Sequence, residues 1–400
     1  MYPMVTDTLF PPLPPETRKL LEGIPALIDK AFPLPARFRS ALPAGVAELS
    51  RLLTSGRGER GLSYMGRPQL LSAYLRFFLP WNLYRLCRLL PGLNLPLAAN
   101  DRITDLGCGP LTFTAALWIC RPDLRALPLE FRCIDRSGPA LEAGKKFFAA
   151  LAGEDCPWKI HTVKSDLEMA KAKTKANPAA LVCAVNVFNE MFGDISRSGA
   201  MQRNVQKFAR LLESHASGTS AILTVEPGTP RCGECISLLR GELLKRGREP
   251  LSPCPHNGGC PIPGGGSKTG KNRWCHFAFE TEDAPSALHR LSQAAGLPKE
   301  RAVLSFLLAV PGNDSLENSS RRGAENAKDA KEAFLRVVSD AFSLPHGRRG
   351  RYCCSDQGLV LLTGERNRIE QAGSGALVNA VIKNERDQKS GALLAELRDS

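Results

Sequence analysis

The stretch Ile103-Thr-Asp-Leu-Gly-Cys-Gly-Pro110 decides the fold of this chain. A short apolar segment leads into it, and a run compatible with a helix follows at residues 111–120. This order predicts a strand, a tight glycine turn and a helix, which together form the first unit of an open α/β sheet. Gly107 and Gly109 let the backbone approach a ligand closely, and Asp105 adds a carboxylate beside the turn. We therefore expect these three residues to bind a ligand that carries both an anionic and a cationic group.

A second strand is predicted at Phe131-Arg-Cys-Ile-Asp135. Asp135 ends this strand, where an acid can accept hydrogen bonds from ribose hydroxyls. A dinucleotide fingerprint would need a third glycine where this chain has Thr112, so a nicotinamide or flavin site is disfavoured. The two motifs resemble those of the class I S-adenosylmethionine-dependent methyltransferases, in which the glycine turn holds the methionine moiety and the acid holds the ribose. This resemblance implies a Rossmann-like α/β fold with S-adenosyl-L-methionine as cofactor.

Three more strands are predicted in the same sheet, at residues 160–163, 181–185 and 220–225, with a helix at residues 199–212 before the last of them. Ligands of such sheets lie at the carboxyl ends of the strands. The polar residues that follow these ends are Asp166, Asn186, Asn189, Glu190 and Glu226. In the resembled family, Asp166 would lie near the adenine, and Asn186 is a further candidate for cofactor binding.

The catalytic residues are not assigned by the sequence. Methyl transfer is an in-line displacement from a sulfonium, so positioning can supply most of the catalysis and a base is needed only where the nucleophile must lose a proton. Nitrogen-methylating members of the resembled class carry an Asn/Asp-Pro-Pro-aromatic motif after strand four, where this chain has Asn186-Val-Phe-Asn-Glu-Met191. The candidates are Asn186, Asn189 and Glu190, and whether the protein is an enzyme stays open.

Composition and charge bound the domain number, the partners and the compartment. A chain of 400 residues with 43% hydrophobic residues predicts two or three domains. Its 53 Lys and Arg residues exceed its 40 Asp and Glu residues, giving a net charge of +13. Such an excess favours a polyanionic partner, with RNA as the leading candidate and DNA not expected, although it can also serve solubility alone.

No membrane partner is expected, because the longest apolar stretch, residues 70–90, contains three arginines and a proline. The first residues lack a basic region ahead of an apolar core, so secretion is not expected and a cytoplasmic location is predicted. The 13 cysteines would then lie in a reducing compartment, where clustered thiols indicate metal binding more often than disulfides.

Residues 1–97 are predicted to form a helical N-terminal domain. Its first 16 residues are proline-rich and expected to be irregular, and helices are expected at residues 16–32, 44–54 and 68–90. The last helix interleaves the arginines Arg76, Arg85 and Arg88 with the aromatics Tyr74, Phe77, Trp81 and Tyr84. Such a helix either contacts RNA through guanidinium and aromatic faces or packs its aromatics inward, which is the more frequent case.

A cysteine-rich segment, residues 251–299, is the second informative region. Cys254, Cys260 and Cys275 lie among prolines and glycines that exclude a regular helix, so their thiols can converge from loops. A fourth thiol is needed to complete a four-cysteine site, and Cys353 and Cys354 are both candidates. Zinc ribbons use Cys-x2-Cys pairs at both ends, whereas proline after a cysteine ligand also occurs in ferredoxin-type sites. An iron–sulfur cluster is therefore favoured, with zinc as the alternative.

Four features in or near this segment are not assigned as metal ligands or as a nucleotide-binding motif. Cys232-Gly-Glu-Cys235 opens a predicted helix and has no second pair, so it is taken as unrelated to the metal site. His256 and His276 could be ligands or could support the ligands through hydrogen bonds. The segment at residues 265–272 imitates a P-loop but is neither preceded by a strand nor followed by a helix, so it is interpreted as a basic insert.

A more specific resemblance is carried by motifs that occur in a fixed order. They are Tyr64-Met-x-Arg67-Pro68, Asp105-Leu-Gly-Cys-Gly109, Asp135-Arg-Ser, Asn189-Glu, Val225-Glu-Pro-Gly-Thr-Pro230, Cys254-Pro-His-x3-Cys-Pro261 and Trp274-Cys-His-Phe277. The set resembles the bacterial and mitochondrial small-ribosomal-subunit methyltransferase-like family, whose mitochondrial member is called methyltransferase-like protein seventeen. The resemblance implies action on the small ribosomal subunit and its rRNA during assembly and translation. It also implies a [4Fe–4S] cluster held by Cys254, Cys260, Cys275 and Cys354.

The domain organisation expected from these motifs is a Rossmann-like domain at residues 98–250 and 300–365, interrupted by the cysteine-rich segment. Late strands are predicted at residues 302–310 and 359–363, the second completing the sheet, with a loop at residues 313–329 and a polar tail at residues 366–400. Three functions stay open: an assembly factor that binds S-adenosylmethionine and rRNA, an active rRNA methyltransferase, and a cofactor-less RNA-binding scaffold with structural zinc.

Overall fold

The computed structural model of the chain describes residues 5–54, 56, 64–169, 178–192, 199–262, 264, 273–312 and 331–397. The predicted loop at 313–329 and the basic insert at 265–272 lie outside these residues. The chain divides into two compact units, each described here by itself. The N-terminal unit comprises Pro11–Ser220 and Glu280–Ala302, and the C-terminal unit comprises Met1–Phe10, Ala221–Phe279 and Val303–Ser400.

The strands of the described residues are numbered in chain order. They are β1 (Val5–Thr8), β2 (Arg102–Leu106), β3 (Glu130–Asp135), β4 (Lys159–Lys164), β5 (Leu181–Val185), β6 (Ala221–Pro227), β7 (Arg248–Ser252), β8 (Phe277–Glu280), β9 (Arg301–Pro311), β10 (Lys331–Val337), β11 (Phe342–Ser343), β12 (Arg349–Ser355), β13 (Gly358–Gly364), β14 (Ala376–Arg386) and β15 (Leu393–Leu397).

The α-helices are numbered in the same way. They are α1 (Pro15–Ala31), α2 (Ala36–Arg39), α3 (Leu42–Leu53), α4 (Pro68–Ala73), α5 (Leu79–Leu89), α6 (Thr112–Cys120), α7 (Pro122–Arg125), α8 (Gly138–Ala152), α9 (Phe188–Met191), α10 (Ala200–His215), α11 (Pro230–Leu244), α12 (Ser286–Ala294) and α13 (Arg366–Gln371). Short 3₁₀ turns occupy Tyr64–Gly66, Leu90–Gly92 and Pro345–Gly347. None of these described helices is both long and apolar enough to cross a lipid bilayer.

The N-terminal unit contains four parallel strands in the order β4-β3-β2-β5. The predicted strand, glycine turn and helix around residue 107 are confirmed as β2, the turn and α6. Strands β2, β3 and β5 are buried along most of their length, because helices cover such sheets on both faces. Their carboxyl ends lie along one edge of the sheet, and this places the residues that follow them close together.

The helix predicted at residues 68–90 is interrupted, which corrects the expectation of one continuous helix. A π-helical turn at Tyr74–Phe78 separates α4 from α5, with the amide of Leu79 donating to the carbonyl of Tyr74. Pro80 has no amide hydrogen to continue the α-helical pattern, and a wider turn accommodates its ring. The aromatics of this region are buried, with Phe77, Trp81 and Tyr84 at most 3% exposed. The inward-packing alternative therefore holds here.

The arginines of the same region are held within the N-terminal unit. The Arg76 guanidinium donates to Asp29 at 3.0 Å, and Arg88 pairs with Asp283 at 3.1 Å. Arg85 donates to the side chain of Asn82. These arginines bind protein groups, so the alternative interpretation of this helix as an RNA-contacting surface has no support from their placement.

The C-terminal unit contains two groups of strands. In the first, β9 lies between β6 and β7 and runs antiparallel to both, and β8 also pairs with β9. In the second, a seven-stranded sheet has the order β1-β14-β10-β12-β13-β15, with β11 beside β12. Strand β13 belongs to this second sheet, so the expectation that residues 359–363 complete the parallel sheet is wrong. Residues 5–8, predicted to be irregular, form β1 because β14 offers them a pairing edge.

Candidate functional site

A cleft of about 320 Å³ opens in the N-terminal unit at the carboxyl ends of its parallel strands. The predicted site residues that line it are Gly107, Gly109, Asp135, Asp166, Asn186 and Glu190. They follow or end four different strands, so only the parallel sheet brings them together. Among the described residues, two predicted site residues, Asp105 and Asn189, do not line this cleft. Further lining residues, which the sequence did not assign as site residues, include Tyr64, Tyr74, Arg136 and Ser137.

The glycine turn lies so close to Val187, at the start of α9, that a side chain would not fit at its first glycine. Gly107 has a φ of +68°, and a Cβ there would lie 2.6 Å from Cγ2 of Val187. The amides of Gly107 and Cys108 both donate to the carbonyl of Ile134, at 2.8 and 3.1 Å. Glycine is therefore required at position 107 for conformation and for space.

Asp135 joins the glycine turn to the start of α8. Its Oδ2 accepts from the amide of Gly109 at 2.9 Å, and its Oδ1 accepts from the amide of Ser137 at 2.7 Å. Burial raises the pKa of Asp135, and the two amide hydrogen bonds oppose that shift. The carboxylate thus holds the turn in place and lines the cleft, where a ribose could share its oxygens.

Asp105 lies below the cleft in a smaller cavity, which it lines together with Tyr74, Asn82 and Asn186. Its side chain is buried, and its Oδ1 is 3.5 Å from Sγ of Cys183, which donates to it. Its Oδ2 is buried and has no hydrogen-bond partner among the described residues. Burial raises the pKa of Asp105 to about 8, so the carboxyl group is protonated at neutral pH.

We expect the free energy of unfolding to fall with rising pH between about pH 5 and pH 8, and to fall less in Asp105→Asn. Between the unfolded and the folded pKa of Asp105, the folded protein keeps a proton on this carboxyl group that the unfolded chain has released. The stabilisation that this proton gives to the folded state is complete below the unfolded pKa and is lost as the pH approaches 8. One proton contributes at most about 1.4 kcal/mol per pH unit. Denaturant titrations at several pH values measure the slope.

The control for this titration is Asp123→Asn. Arg121 donates to the exposed carboxylate of Asp123 and lowers its pKa, so this group titrates below the tested range. Its removal should leave the wild-type slope unchanged. Equal slopes for wild type and Asp105→Asn would mean that Asp105 is already ionised in the folded protein.

Two tyrosines face the carboxylates of the cleft. The Tyr64 hydroxyl donates to Glu190, at 3.2 Å from Oε2 and 3.4 Å from Oε1. Burial raises the pKa of Tyr74, and the charges of Glu190 and Asp135 raise it further, so its hydroxyl stays protonated. The sequence signal for Tyr64 was its place in the Tyr64-Met-x-Arg67-Pro68 motif. Tyr74 had no such signal, because its position depends on the π-helical turn.

The C-terminal unit gathers the four predicted cysteine ligands. Neighbouring thiols raise one another's pKa values. Cys260 raises the pKa of Cys254, and Cys254 and Cys260 both raise the pKa of Cys354. The pKa of Cys275 is raised by Cys254, Cys260 and Cys354. All six pairs of thiols are thus close enough to interact electrostatically. Burial is the largest cause of the raised pKa values of Cys254, Cys275 and Cys354. Cys353 instead points into the core of the seven-stranded sheet.

Helix α11 supports the cysteine segment. A Cβ at Gly233 would lie 2.6 Å from Cδ1 of Trp274, and the indole of Trp274 donates to the carbonyl of Gly228 at 2.9 Å. The carbonyl of Cys275 accepts from the hydroxyl of Ser305 at 2.8 Å. In the sequence Cys232-Gly-Glu-Cys235, the glycine therefore matters for the approach of Trp274, while both cysteines are buried in the helix packing.

Two buried arginines, which the sequence analysis did not identify, flank the thiols. The Arg240 guanidinium donates through Nε to Sγ of Cys254 at 3.2 Å and through Nη2 to the carbonyl of His256 at 2.7 Å. Arg336 donates to the carbonyl of Pro253 at 3.0 Å. The imidazole Nε2 of His256 lies 3.2 Å from Sγ of Cys354. The segment Pro253–His256 is thereby held by two cations.

The described residues contain no group of three or more His, Cys, Asp or Glu side chains arranged to hold a metal ion. A single tetrahedral zinc ion with four sulfur ligands at about 2.3 Å needs those sulfurs about 3.8 Å apart. In a four-iron cluster each thiolate binds a different iron, so the sulfurs lie farther apart. The two kinds of centre thus require different spacings of the same four residues.

Residues 100–345 match the model of a protein family described as mitochondrial small ribosomal subunit Rsm22. No curated protein matches the chain. One similar solved structure is a SAM-dependent methyltransferase from Thiobacillus denitrificans in complex with S-adenosyl-L-homocysteine, with 13% identity, a TM-score of 0.32 and coverage of 58% of this chain and 91% of that chain.

Two other similar structures are a magnesium protoporphyrin IX methyltransferase from Synechocystis PCC 6803 with bound SAM and a cyclopropane synthase from Mycobacterium tuberculosis. The first has 12% identity, a TM-score of 0.34 and coverage of 67% of this chain and 97% of that chain. The second has 11% identity, a TM-score of 0.32 and coverage of 66% and 93%. At these values the similarities indicate neither a substrate nor an activity for this chain.

Proposed function

The chain belongs to the mitochondrial small ribosomal subunit Rsm22 family, and on that premise we propose that it is a methyltransferase-like factor of the small ribosomal subunit. In this proposal it binds S-adenosylmethionine and small-subunit rRNA, supports assembly and translation, and carries a [4Fe–4S] cluster on four cysteines. The family description names a mitochondrial particle, and the cytoplasmic location expected from the sequence stays a prediction.

The observation that carries the proposal is the convergence of six predicted residues on one cleft. The Gly107–Gly109 turn offers a close backbone approach for the methionine part of the donor. Asp135 can accept hydrogen bonds from the ribose, and Asp166, which follows β4, is placed for the adenine. Asn186 follows β5 and offers a further polar contact in the same cleft. The cleft volume of about 320 Å³ is at the lower end of the range typical of ligand sites.

The charges around the four cysteines support a cluster. Arg240 is 4% exposed, and no carboxylate pairs with it among the described residues. A buried cation without an anion is costly, and a cluster bound by four thiolates would supply the missing negative charge. Cys254, Cys260, Cys275 and Cys354 would hold the cluster, which would order the loops that carry them. These residues fit the group in number, softness and charge.

The proposal is tested on full-length protein purified without oxygen. We expect about four iron and four sulfide per chain, heat on titration with S-adenosylmethionine and with its demethylated product, and sedimentation with small ribosomal subunits in a gradient. Colourless protein with only zinc would reject the cluster. Failure of both nucleosides to bind would leave the cofactor-less scaffold, and failure to sediment with the subunit would reject the ribosomal role.

Active methyl transfer is a second candidate, which the placement of Glu190 favours. Its carboxylate lines the cleft and accepts from the Tyr64 hydroxyl, so it could take a proton from a nucleophile bound there. Transfer of labelled methyl to immature small subunits tests this candidate. A particle that accepts no label from a protein that binds the donor would reject it and leave the assembly role in place.

A further inference from the structure

Five strands of the C-terminal unit form a closed circuit. Strand β10 pairs with β12, β12 with β13, β13 with β15, β15 with β14, and β14 returns to β10. All these pairings are antiparallel except β13 with β15, which is parallel. Numbered within the circuit, the order is 1-2-3-5-4-1, and α13 lies between the third and fourth strands. This is the topology of the OB-fold, a five-stranded Greek-key barrel.

The interior of this barrel is filled by its own side chains. The buried cluster includes Leu335, Val337, Cys353, Val360, Leu362 and Val378, each 0% exposed. A ligand must therefore lie on the outside. In OB-folds the outer face of strands two and three, with the connections between strands one and two and between strands four and five, binds oligonucleotides.

A row of three planar groups lies at the outer face of β12, with one group each from β12, β11 and the cysteine-rich segment. Because Cys353 points inward, the alternation of a strand turns Tyr352 outward. The Tyr352 ring lies 5.2 Å from the ring of Phe342, and the guanidinium of Arg273 lies 4.9 Å from its centroid. A Cβ at Gly350 would lie 3.3 Å from Cε2 of Phe342, so the lack of a side chain at this position lets the Phe342 ring lie close to β12. All three planar groups are half-buried, which leaves surface for stacking.

Cations surround this row. Arg348 is 46% exposed on the connection between β10 and β12, and Arg386 and Lys389 are exposed at the connection between β14 and β15. Arg273 joins the two regions, since it also donates to the carbonyl of Ser390 at 3.5 Å. The ion pair of Arg348 with Glu396 is half-exposed, so it contributes little and could be exchanged for a phosphate contact.

We infer that this barrel binds single-stranded RNA across Phe342, Tyr352 and Arg273, with its phosphates near Arg348 and Lys389. Unpaired bases stack on aromatic rings and on guanidinium planes, whereas the bases of a duplex are already stacked. The inference identifies which surface would bind the rRNA in the function proposed above. It rests on that proposed function only for the identity of the RNA. It is independent of the methyl-donor cleft, which belongs to the N-terminal unit.

The test is fluorescence anisotropy of the full chain with a labelled single-stranded oligouridine of about 12 nucleotides. We expect Tyr352→Leu to weaken binding about 5- to 150-fold, the range found when one aromatic side chain that stacks on a base is replaced. Phe334→Leu is the matched control, because Phe334 is an exposed aromatic, 54% exposed, on β10 of the same barrel. Its affinity should equal that of wild type. Iron content and thermal unfolding confirm that both variants are intact.

Equal affinities of wild type and Tyr352→Leu would overturn the inference, as would tighter binding of a duplex RNA or of single-stranded DNA of the same length. Sedimentation with small subunits distinguishes this failure from failure of the proposed function. If Tyr352→Leu keeps its RNA affinity but no longer sediments with the subunit, the face binds a protein instead and the RNA inference is wrong. If wild type binds the oligonucleotide but never sediments with the subunit, the barrel inference stands and the ribosomal proposal fails.

Discussion

Replacing Cys275 with serine is expected to abolish cluster binding and to destabilise the C-terminal unit. Cys275 is one of the four predicted ligands and lies within electrostatic range of the other three, so its loss leaves only three sulfur ligands for the cluster. Without the cluster, the buried Arg240 guanidinium would lack an anion, which costs roughly 3–5 kcal/mol for a broken buried pair. Iron content should fall below about one per chain from about four. Metal analysis, the visible spectrum and denaturant unfolding measure these changes.

The matched control is Cys353→Ala, which removes the thiol adjacent in sequence to the proposed fourth ligand. Cys353 is 0% exposed in the core of the seven-stranded sheet, and burial raises its pKa to about 12. Its loss should cost packing energy but leave the iron content unchanged. Full iron content in Cys275→Ser would contradict the ligand set. Loss of iron in Cys353→Ala but not in Cys354→Ser would transfer the fourth position to Cys353.

Replacing Gly107 with alanine is expected to weaken binding of S-adenosylmethionine by at least about tenfold and to lower the free energy of unfolding by roughly 2–5 kcal/mol. The φ of +68° disfavours any side chain, and the new Cβ would overlap Cγ2 of Val187 at 2.6 Å. The turn must move to relieve this overlap, and its amides then leave the positions required by the donor. Calorimetry and denaturant unfolding measure the two effects.

Gly153→Ala separates the two causes. Gly153 has a φ of +79° at the end of α8, and nothing lies within 4 Å of a Cβ built there. This variant should therefore show only the cost of a backbone conformation that is nearly restricted to glycine, about 1–3 kcal/mol, and unchanged donor affinity. Unaltered donor binding in Gly107→Ala would show that the glycine turn does not contact the donor.

The cleft was largely predictable because its determinants are local. A strand, a glycine turn and a helix follow one another in the sequence, and the carboxyl ends of parallel strands meet at one edge whatever their spacing. The prediction therefore placed Gly107, Asp135 and Asn186 together from sequence patterns alone. Tyr74 was missed as a lining residue, because the π-helical turn that positions it depends on how α4 and α5 pack.

The seven-stranded sheet was not predicted, and the tail at residues 366–400 was assigned no fold. Its pairings are distant in sequence: β13 lies parallel to β15, with α13 and β14 between them. Strand β14 contains alanine, asparagine and lysine, and this composition does not separate a strand from a helix. Such strands acquire their conformation from their partners, so the barrel and its outer face were visible only in the structure.

The sequence by itself determined the parallel sheet, the residues at its strand ends and the thiols available in the cysteine segment, because backbone constraints and hydrophobic patterns act over short distances. Only the tertiary structure decided that β12 presents Cys354 and Tyr352 on its outer face and Cys353 on its inner face. It also decided that Arg240 and Arg336 lie beside the thiols. Register and charge burial depend on which distant segments pair, and no local pattern in the chain encodes that choice.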